Sequence, residues 1–379
     1  MRALPLRSIW QIVSEINLAE IQRELESTFH LLIAADDGSV AEHAARSLSG
    51  PGADFVHPWI TVTDGSGSGM RSDSTDIVPS AAEPRNPPPG APRTVPDCVL
   101  LVTTQMELSA DLASLLQTLN AQSIPSLIVV TGPEAQKAGA EIARRGEKAR
   151  VAVPDLSAPA VARLAGALIE IAPAELRLPL ARRLPPLRPP AFHLLIQETS
   201  QANASYSFTT GLGEAVPGLG FVLGAGDAIV LTKNQLIMAY KIALVSGKKG
   251  SPQQLLGEIA GVLGGGFLFR QLARQMSGLI PVVGIVPKVA VSYAGTWAIG
   301  RAVVLWATEG RKITPELMKG FYHEALTQGR QAANRIVQNS RKPRLADKKQ
   351  PSQPRKPTAQ TGLLQQIRKQ IARRTPRSD

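Results

Sequence analysis

Two apolar, glycine-rich runs decide how this chain folds: Val216-Pro-Gly-Leu-Gly-Phe-Val-Leu-Gly-Ala-Gly-Asp-Ala-Ile-Val-Leu231 and Gly278-Leu-Ile-Pro-Val-Val-Gly-Ile-Val-Pro287. Both are too apolar for an ordinary surface helix. Neither is a clean membrane span, because a span needs about twenty apolar residues. Asp227 interrupts the first run and Lys288 follows the second, and a charge at the centre of a span costs about 2.5–3.5 kcal/mol. We therefore expect either membrane-associated helices, including a membrane hairpin, or a tightly packed soluble bundle.

Small and polar residues inside this region suggest how its helices pack. Gly257, Gly261 and Gly265 recur every four positions, a spacing that permits close helix–helix contact in membranes and in soluble bundles alike. Asp227, Lys233 and Asn234 lie within about two helical turns of one another. If they are buried, they need partners, and we expect a structural polar network there.

Composition places the remaining limits. The chain has 379 residues, and its single cysteine, Cys98, excludes an internal disulfide and fits a reducing compartment. The formal charge is +12. Residues 341–379 contain twelve Lys and Arg against two Asp, a net +10, which leaves about +2 for the rest. The N-terminus has no signal-peptide pattern, so we expect the bulk of the chain in the cytoplasm.

The first half of the chain alternates apolar runs with helical patterns. After a helix over 5–27, strands are predicted at 29–34, 59–62, 95–103, 125–131 and 150–153, and helices at 40–48, 110–119, 134–145 and 158–171. Continuous Val, Leu and Ile runs that alternate with helices predict a doubly wound, mostly parallel sheet covered on both faces. The Gly-, Ser- and Pro-rich stretch 64–94 predicts a flexible loop.

The first strand, turn and helix stand where a phosphate-binding loop would lie. Such a loop needs G-x-x-x-x-G-K-[ST], and the nearest match is Ala34-Ala-Asp-Asp-Gly-Ser-Val-Ala41, in which Val40 replaces the lysine. Gly38 and Ser39 are the remaining candidates for nucleotide contact, beside the repelling charges of Asp36 and Asp37. We expect no GTPase activity, no catalytic residues, no cofactor and no metal site. The alternative is an unrelated doubly wound domain that never bound a nucleotide.

Both halves resemble known bacterial domains. Residues 28–172 resemble a degenerate small-GTPase domain. The later motifs are residues 176–190, Ala202-Asn-Ala-Ser-Tyr-Ser207, Lys233-Asn-Gln-Leu-Ile-Met238, Phe269-Arg-Gln-Leu-Ala-Arg274, Ile280-Pro-Val-Val-Gly-Ile-Val-Pro-Lys288 and Ala294-Gly-Thr296. With them, residues 200–335 are similar to a bacterial domain that follows GTPase-like domains and is related to the YcjF inner-membrane proteins. The resemblance implies a helical, membrane-linked module coupled to a G-domain fold.

The predicted layout is therefore an N-terminal helix (1–27), an α/β domain (28–172), a Pro- and Arg-rich linker (173–199), a helical domain (200–335) and a disordered basic tail (336–379). An amphipathic stretch of the tail carries Arg368, Lys369, Arg373 and Arg374, which could anchor the chain to anionic lipid. We expect a non-catalytic protein on the cytoplasmic face of the inner membrane that acts through lipid, protein partners or its own oligomer. The alternatives are a GTP-binding switch with an altered phosphate loop, or a soluble cytoplasmic scaffold whose tail binds nucleic acid.

Overall fold

The computed structural model describes residues 14, 16–64, 95–214, 220–262 and 285–341, with the backbone alone at 212–214, 220–228, 262, 285 and 341. Its first part, the α/β region, contains α1 (Leu18–Glu26), β1 (Leu31–Ala35), α2 (Gly38–Ser49), β2 (Ile60–Asp64), β3 (Cys98–Thr103), α3 (Ala110–Ala121), β4 (Ser126–Thr131), α4 (Ala135–Arg145), β5 (Arg150–Val153) and α5 (Ala158–Ile171). Every predicted strand and helix from β1 to α5 is present, and all of their ends lie within three residues of the prediction.

The five strands form one sheet in the order β2-β1-β3-β4-β5, and every pair is parallel. The predicted doubly wound, parallel sheet is thus confirmed. All residues of β1 and β3 are buried, which agrees with their continuous apolar sequence. The strand order reverses between β1 and β3, and ligands of such sheets bind at the carboxyl ends of the strands beside that point.

Alternate residues of each strand face two different cores. On one face, Leu31, Ile33 and Leu100 belong to a large buried cluster that continues into the helices after α5. On the other face, Leu32 and Leu101 belong to a small cluster of six buried residues covered by α3. The sheet is therefore much more thickly covered on one side than on the other.

The predicted N-terminal helix is shorter than expected. The sequence pattern predicts one helix over 5–27, but α1 begins at Leu18, and Asn17 is its N-cap. The Asn17 side chain accepts a hydrogen bond from the Glu20 amide at 3.1 Å, the usual role of Asn at a helix start. The earlier part of the prediction lies outside the described residues.

The segment predicted as a linker is helical. It contains short 3₁₀ turns at Ala174–Leu176 and Pro185–Leu187, and between them α6 (Arg177–Arg183). α7 (Arg188–Glu214) begins within the same segment. The prolines stand at positions that divide the segment into short pieces, as expected from their missing N–H groups.

The helical bundle consists of α7 together with α8 (Gly220–Val245), α9 (Pro252–Val262), α10 (Ile285–Glu309) and α11 (Pro315–Arg341). The first residues of the predicted tail, 336–341, are helical, because α11 continues to Arg341. Ala333 is fully buried and Ile336 packs against the core, so apolar contacts extend this helix beyond the predicted domain end. Residues 342–379 lie outside the described residues.

Candidate functional site

The turn between β1 and α2 is closed by its own side chain. Only Asp36 and Asp37 separate β1 from α2. The Asp37 carboxylate accepts the Ser39 amide at 2.8 Å, and its carbonyl accepts the Val40 and Ala41 amides. Hydrogen bonds from Ser39 lower the pKa of Asp37. Three amide groups at this helix start, those of Ser39, Val40 and Ala41, are therefore bonded to Asp37 where a phosphate would otherwise bind.

The neighbouring aspartate ties two loops together across the point where the strand order reverses. The Ser109 hydroxyl donates to the Asp36 carboxylate at 2.5 Å. Ser109 is also the N-cap of α3, and its hydroxyl oxygen accepts the Leu112 amide at 3.3 Å. The loop after β1 is thus joined to the loop after β3. The crevice that binds ligands in doubly wound sheets is bridged by this bond.

More acidic residues stand at the same edge of the sheet. Asp64 ends β2, Glu134 is the N-cap of α4, and Asp155 follows β5. Hydrogen bonds from Ser157 lower the pKa of Asp155, which keeps this carboxylate charged. The carboxyl edge therefore carries negative charge where a nucleotide would place its phosphates. Within the described residues, no group of three or more His, Cys, Asp or Glu could hold a metal ion.

The structure places the predicted nucleotide candidates, Gly38 and Ser39, at the start of α2. They directly follow Asp37. The space beside Gly38 is open, because a Cβ added there would meet nothing within 4 Å among the described residues. The single cysteine is a buried core thiol. Cys98 lies in β3 at 2% exposure, and burial, followed by the charge of Asp97, raises its pKa to about 12.

A polar network crosses the middle of the helical bundle. Asn203 of α7 is fully buried and donates to the Thr296 hydroxyl of α10 at 2.9 Å. It accepts a bond from Asn234 of α8 at 2.8 Å. Gln235 donates to Thr296 at 3.1 Å, and Ser292 donates to the Asn203 carbonyl at 3.1 Å. Side chains from three helices therefore meet at one buried point.

Of the predicted polar set in this region, the structure brings Asn234 into the network. Lys233 is half-buried one residue earlier on α8. Asp227 lies on α8, where the structure describes the backbone alone. The sequence analysis quotes Asn203 and Thr296 within two motifs but does not predict their bond, because they are 93 positions apart.

Among the described residues, the two glycines of the predicted ladder that the structure covers make no close helix contact. Gly257 and Gly261 are exposed on α9, and an added Cβ at either would meet nothing within 4 Å. Gly265 lies outside the described residues. Close contacts occur instead at Gly300, where a Cβ would meet the Ile196 side chain at 2.6 Å, and at Gly329, where it would meet the Ala290 carbonyl at 2.6 Å.

One described helix, Val286–Glu309, is long and apolar enough to cross a membrane. It also packs as a core helix would, since 67% of its most apolar window is buried. Trp297 stacks on Tyr293 and meets His193 edge-on. The exposed Arg301 lies over the Phe321 ring, with its guanidinium carbon 5.6 Å from the ring centroid. Length and composition alone therefore do not distinguish a membrane span from a core helix here.

Arginines of the predicted linker join neighbouring elements. Arg177 donates to the Ala172 carbonyl after α5 at 3.2 Å and pairs with Glu198 of α7 at 3.2 Å. Arg183 lies over the Trp59 ring beside β2, at 4.7 Å from its centroid. The sequence shows the arginines but not these partners. The predicted anchoring residues of the tail, Arg368, Lys369, Arg373 and Arg374, lie outside the described residues.

Comparisons with known proteins return no match: no family model fits the chain, and neither the curated proteins nor the solved structures contain a similar one.

Proposed function

We propose that this chain is a non-catalytic, membrane-associated protein whose α/β region is a scaffold with a closed nucleotide site. The observation that carries the proposal is the pair of aspartates after β1. Asp37 caps α2 from within, and Asp36 is bonded to Ser109 across the crevice. A protein with this closed site would act through lipid or protein contacts.

Electrostatics supports the absence of a nucleotide. A phosphate at the start of α2 would have to displace the Asp37 carboxylate from the Ser39 amide. It would also approach Asp36 and Asp37 without a lysine in the turn, since Val40 occupies that position. Phosphoryl transfer depends on a cation and ordered amide groups at the transferred phosphate, so the turn lacks the main sources of transition-state stabilisation.

Nucleotide titration of the full chain tests this part. We expect no heat with Mg-GTP or Mg-ATP at concentrations up to about 1 mM, a limit that corresponds to binding of about −4 kcal/mol. Asp37→Ser retains a capping hydroxyl and removes the charge, so it serves as a matched variant. Binding or hydrolysis by the native chain that an Asp37 or Val40 substitution abolishes would support the alternative of a working switch.

The direction of the bundle helices supports membrane association at one end. α7 pairs with α10 through Ile196 near Gly300 and Asn203 near Thr296, so these helices are antiparallel. Lys241, near the end of α8, pairs with Glu24 of α1 at 2.9 Å. The end of α7 and the starts of α8 and α10 therefore lie away from the sheet. The apolar sequence stretches 216–219 and 278–284 connect to these helix ends.

The last helix returns toward the same end. Phe321 lies beside Arg301 and Gly329 beside Ala290, so α11 is antiparallel to α10. The part of α11 that packs on the bundle, up to Ile336, therefore runs toward the start of α10. The basic tail follows it in sequence. Polybasic segments gain about 1 kcal/mol per Lys or Arg at an anionic leaflet. We propose peripheral contact through this bundle end, with α10 retained in the core.

Co-sedimentation with vesicles tests the membrane part. In the first experiment, the full chain and a chain that ends at Arg341 are mixed with anionic or zwitterionic vesicles. In the second, membranes from cells that make each chain are washed with high salt and then with carbonate. We expect the full chain to pellet with anionic vesicles and carbonate to release both chains. Resistance of the shortened chain to carbonate would indicate that α10 spans the bilayer. Tighter binding to DNA than to vesicles would favour the nucleic-acid scaffold.

A further inference from the structure

A small cavity lies on the thinly covered face of the sheet, between α4 and the loop after β3. Its volume is about 140 Å³. Met106, Ala138 and Ile142 supply apolar parts of its wall, and the charged part includes Glu107 and Arg150. It is separate from the closed turn after β1, and none of its lining residues takes part in the function proposed above.

The sequence explains why a gap remains at this place. The buried positions of α4 are Ala135 and Ala138, whose small side chains leave space above the sheet. The sheet beneath is incompletely covered, because Ile128 of β4, which packs against the small cluster, is only half-buried. Five of the eight residues that line the cavity are charged: Glu107, Glu141, Arg145, Glu147 and Arg150.

Arg150 leaves one hydrogen-bond donor unused in this cavity wall. Its Nη2 donates to the Met106 carbonyl at 2.6 Å, and its Nη1 lies 3.9 Å from Glu147. Its Nε is buried and has no hydrogen-bond partner among the described residues. The side chain is only 20% exposed. The buried Nε is out of reach of a ligand, but the contact of Nη1 with Glu147 is longer than a hydrogen bond. Nη1 is therefore the donor that an anionic group in the cavity would meet.

An unpaired carboxylate stands beside this guanidinium. Glu107 directly follows Met106, whose carbonyl binds Arg150. In the part of the chain that the structure describes, the Glu107 carboxylate makes no hydrogen bond and no ion pair. A guanidinium with an unused donor and a free carboxylate therefore line the same wall. This arrangement fits a molecule that carries both a negative and a positive group.

We propose that the cavity binds a small zwitterion of the α-amino-acid class. Its carboxylate would accept from Arg150, its ammonium would donate to Glu107, and a short apolar side chain would contact Met106 and Ile142. The size agrees, because a cavity of about 150 Å³ holds a molecule such as benzene. The cavity, at about 140 Å³, therefore has room for a small amino acid.

Calorimetry with defined probes tests the proposal on the full chain. L-valine is compared with isovalerate, which lacks the ammonium group, and with isobutylamine, which lacks the carboxylate. We expect L-valine to bind with a dissociation constant of about 0.1–1 mM, a range set by its about eight non-hydrogen atoms. We expect each analogue to bind at least about tenfold more weakly, because each leaves one charged group of the wall unpaired.

Three variants assign the binding to this wall. Glu107→Gln and Arg150→Gln should each weaken L-valine binding about tenfold or more. Arg144→Gln is the matched control, because Arg144 lies on α4, is 76% exposed and does not line the cavity. Glu107 is exposed, so its variant keeps the test valid if Arg150→Gln fails to fold.

Several results would overturn the proposal. One is the absence of heat with L-valine. Another is unchanged L-valine binding in Glu107→Gln together with unchanged binding in any folded Arg150→Gln protein. Equal binding of isovalerate and L-valine would show an anion site and exclude the zwitterion class.

Discussion

The sheet and the helical bundle differ in what fills their cores. β1 and β3 are buried along their whole length by apolar side chains. The bundle instead holds a polar network around Asn203 and close backbone contacts at Gly300 and Gly329. An apolar core tolerates changes that conserve volume and pattern. A core with paired polar groups depends on every partner, so we expect the bundle to be the more sensitive part of the molecule.

The largest effect is expected at the polar network. Asn203→Leu removes the partner of Asn234 and one partner of Thr296, and leaves polar groups unpaired in the bundle. We expect a loss of about 2–3 kcal/mol in the free energy of unfolding, measured by urea denaturation with circular dichroism. Gln201→Leu is the control, because Gln201 is exposed on the same helix and should change stability by about 0.5 kcal/mol or less.

The Asn203→Leu variant also tests whether the α/β region and the helical bundle unfold together. Cys98 is buried in the sheet with its pKa raised to about 12 by burial, so alkylation at pH 8 reports opening of the α/β region. One buried cluster joins the sheet and the bundle. We therefore expect the alkylation and circular dichroism midpoints to shift together. A shift of the circular dichroism midpoint alone would show that the bundle is an independent folding unit.

The next largest effect on the free energy of unfolding is expected at the glycines. Their variants distinguish glycines that make close contacts from glycines that only have a regular spacing in the sequence. Gly329→Ala would place a Cβ 2.6 Å from the Ala290 carbonyl, and we expect a loss of about 1–3 kcal/mol from overpacking. Gly300→Ala should cost less, because the atom it meets is in the Ile196 side chain. Gly257→Ala should gain about 0.5–1 kcal/mol from helix propensity. Thermal unfolding of the three variants measures this order. The largest loss of stability in Gly257→Ala would contradict it.

The sequence predicts the α/β region well because its signals are local. The run from Cys98 to Thr103 is apolar at almost every position. A strand that is apolar on both faces is buried in the sheet whichever strands lie beside it. The closure of the turn between β1 and α2 can be predicted from the sequence only in part. The missing lysine at Val40 is visible in the sequence, whereas the bond between Asp36 and Ser109 joins residues 73 positions apart.

The bundle is less predictable because its contacts depend on which helix faces point at each other. The spacing of Gly257 and Gly261 indicates a packing surface, yet that surface is exposed in the described chain. Gly300 and Gly329 have no such regular spacing, and each makes a close contact. Helix rotation is set by the partner helices, and a glycine spacing within one helix does not determine it.

The smallest effect is expected at an ion pair that links the two regions. Lys241 of α8 binds Glu24 of α1 at 2.9 Å, with the two side chains 17% and 37% exposed. A double-mutant cycle with Lys241→Met and Glu24→Gln should give a coupling of about 0.5–1 kcal/mol, because a pair this accessible is partly screened by solvent. The Arg46–Glu42 pair, at 47% and 52% exposure, should give about half of that or less.

If the Lys241–Glu24 pair anchors α1 to the bundle, then Lys241→Met also increases proteolysis before Leu18. Unchanged proteolysis with the coupling present would assign the pair a local role, because α1 would then be held by its apolar contacts at Ile21 and Leu25, which are buried.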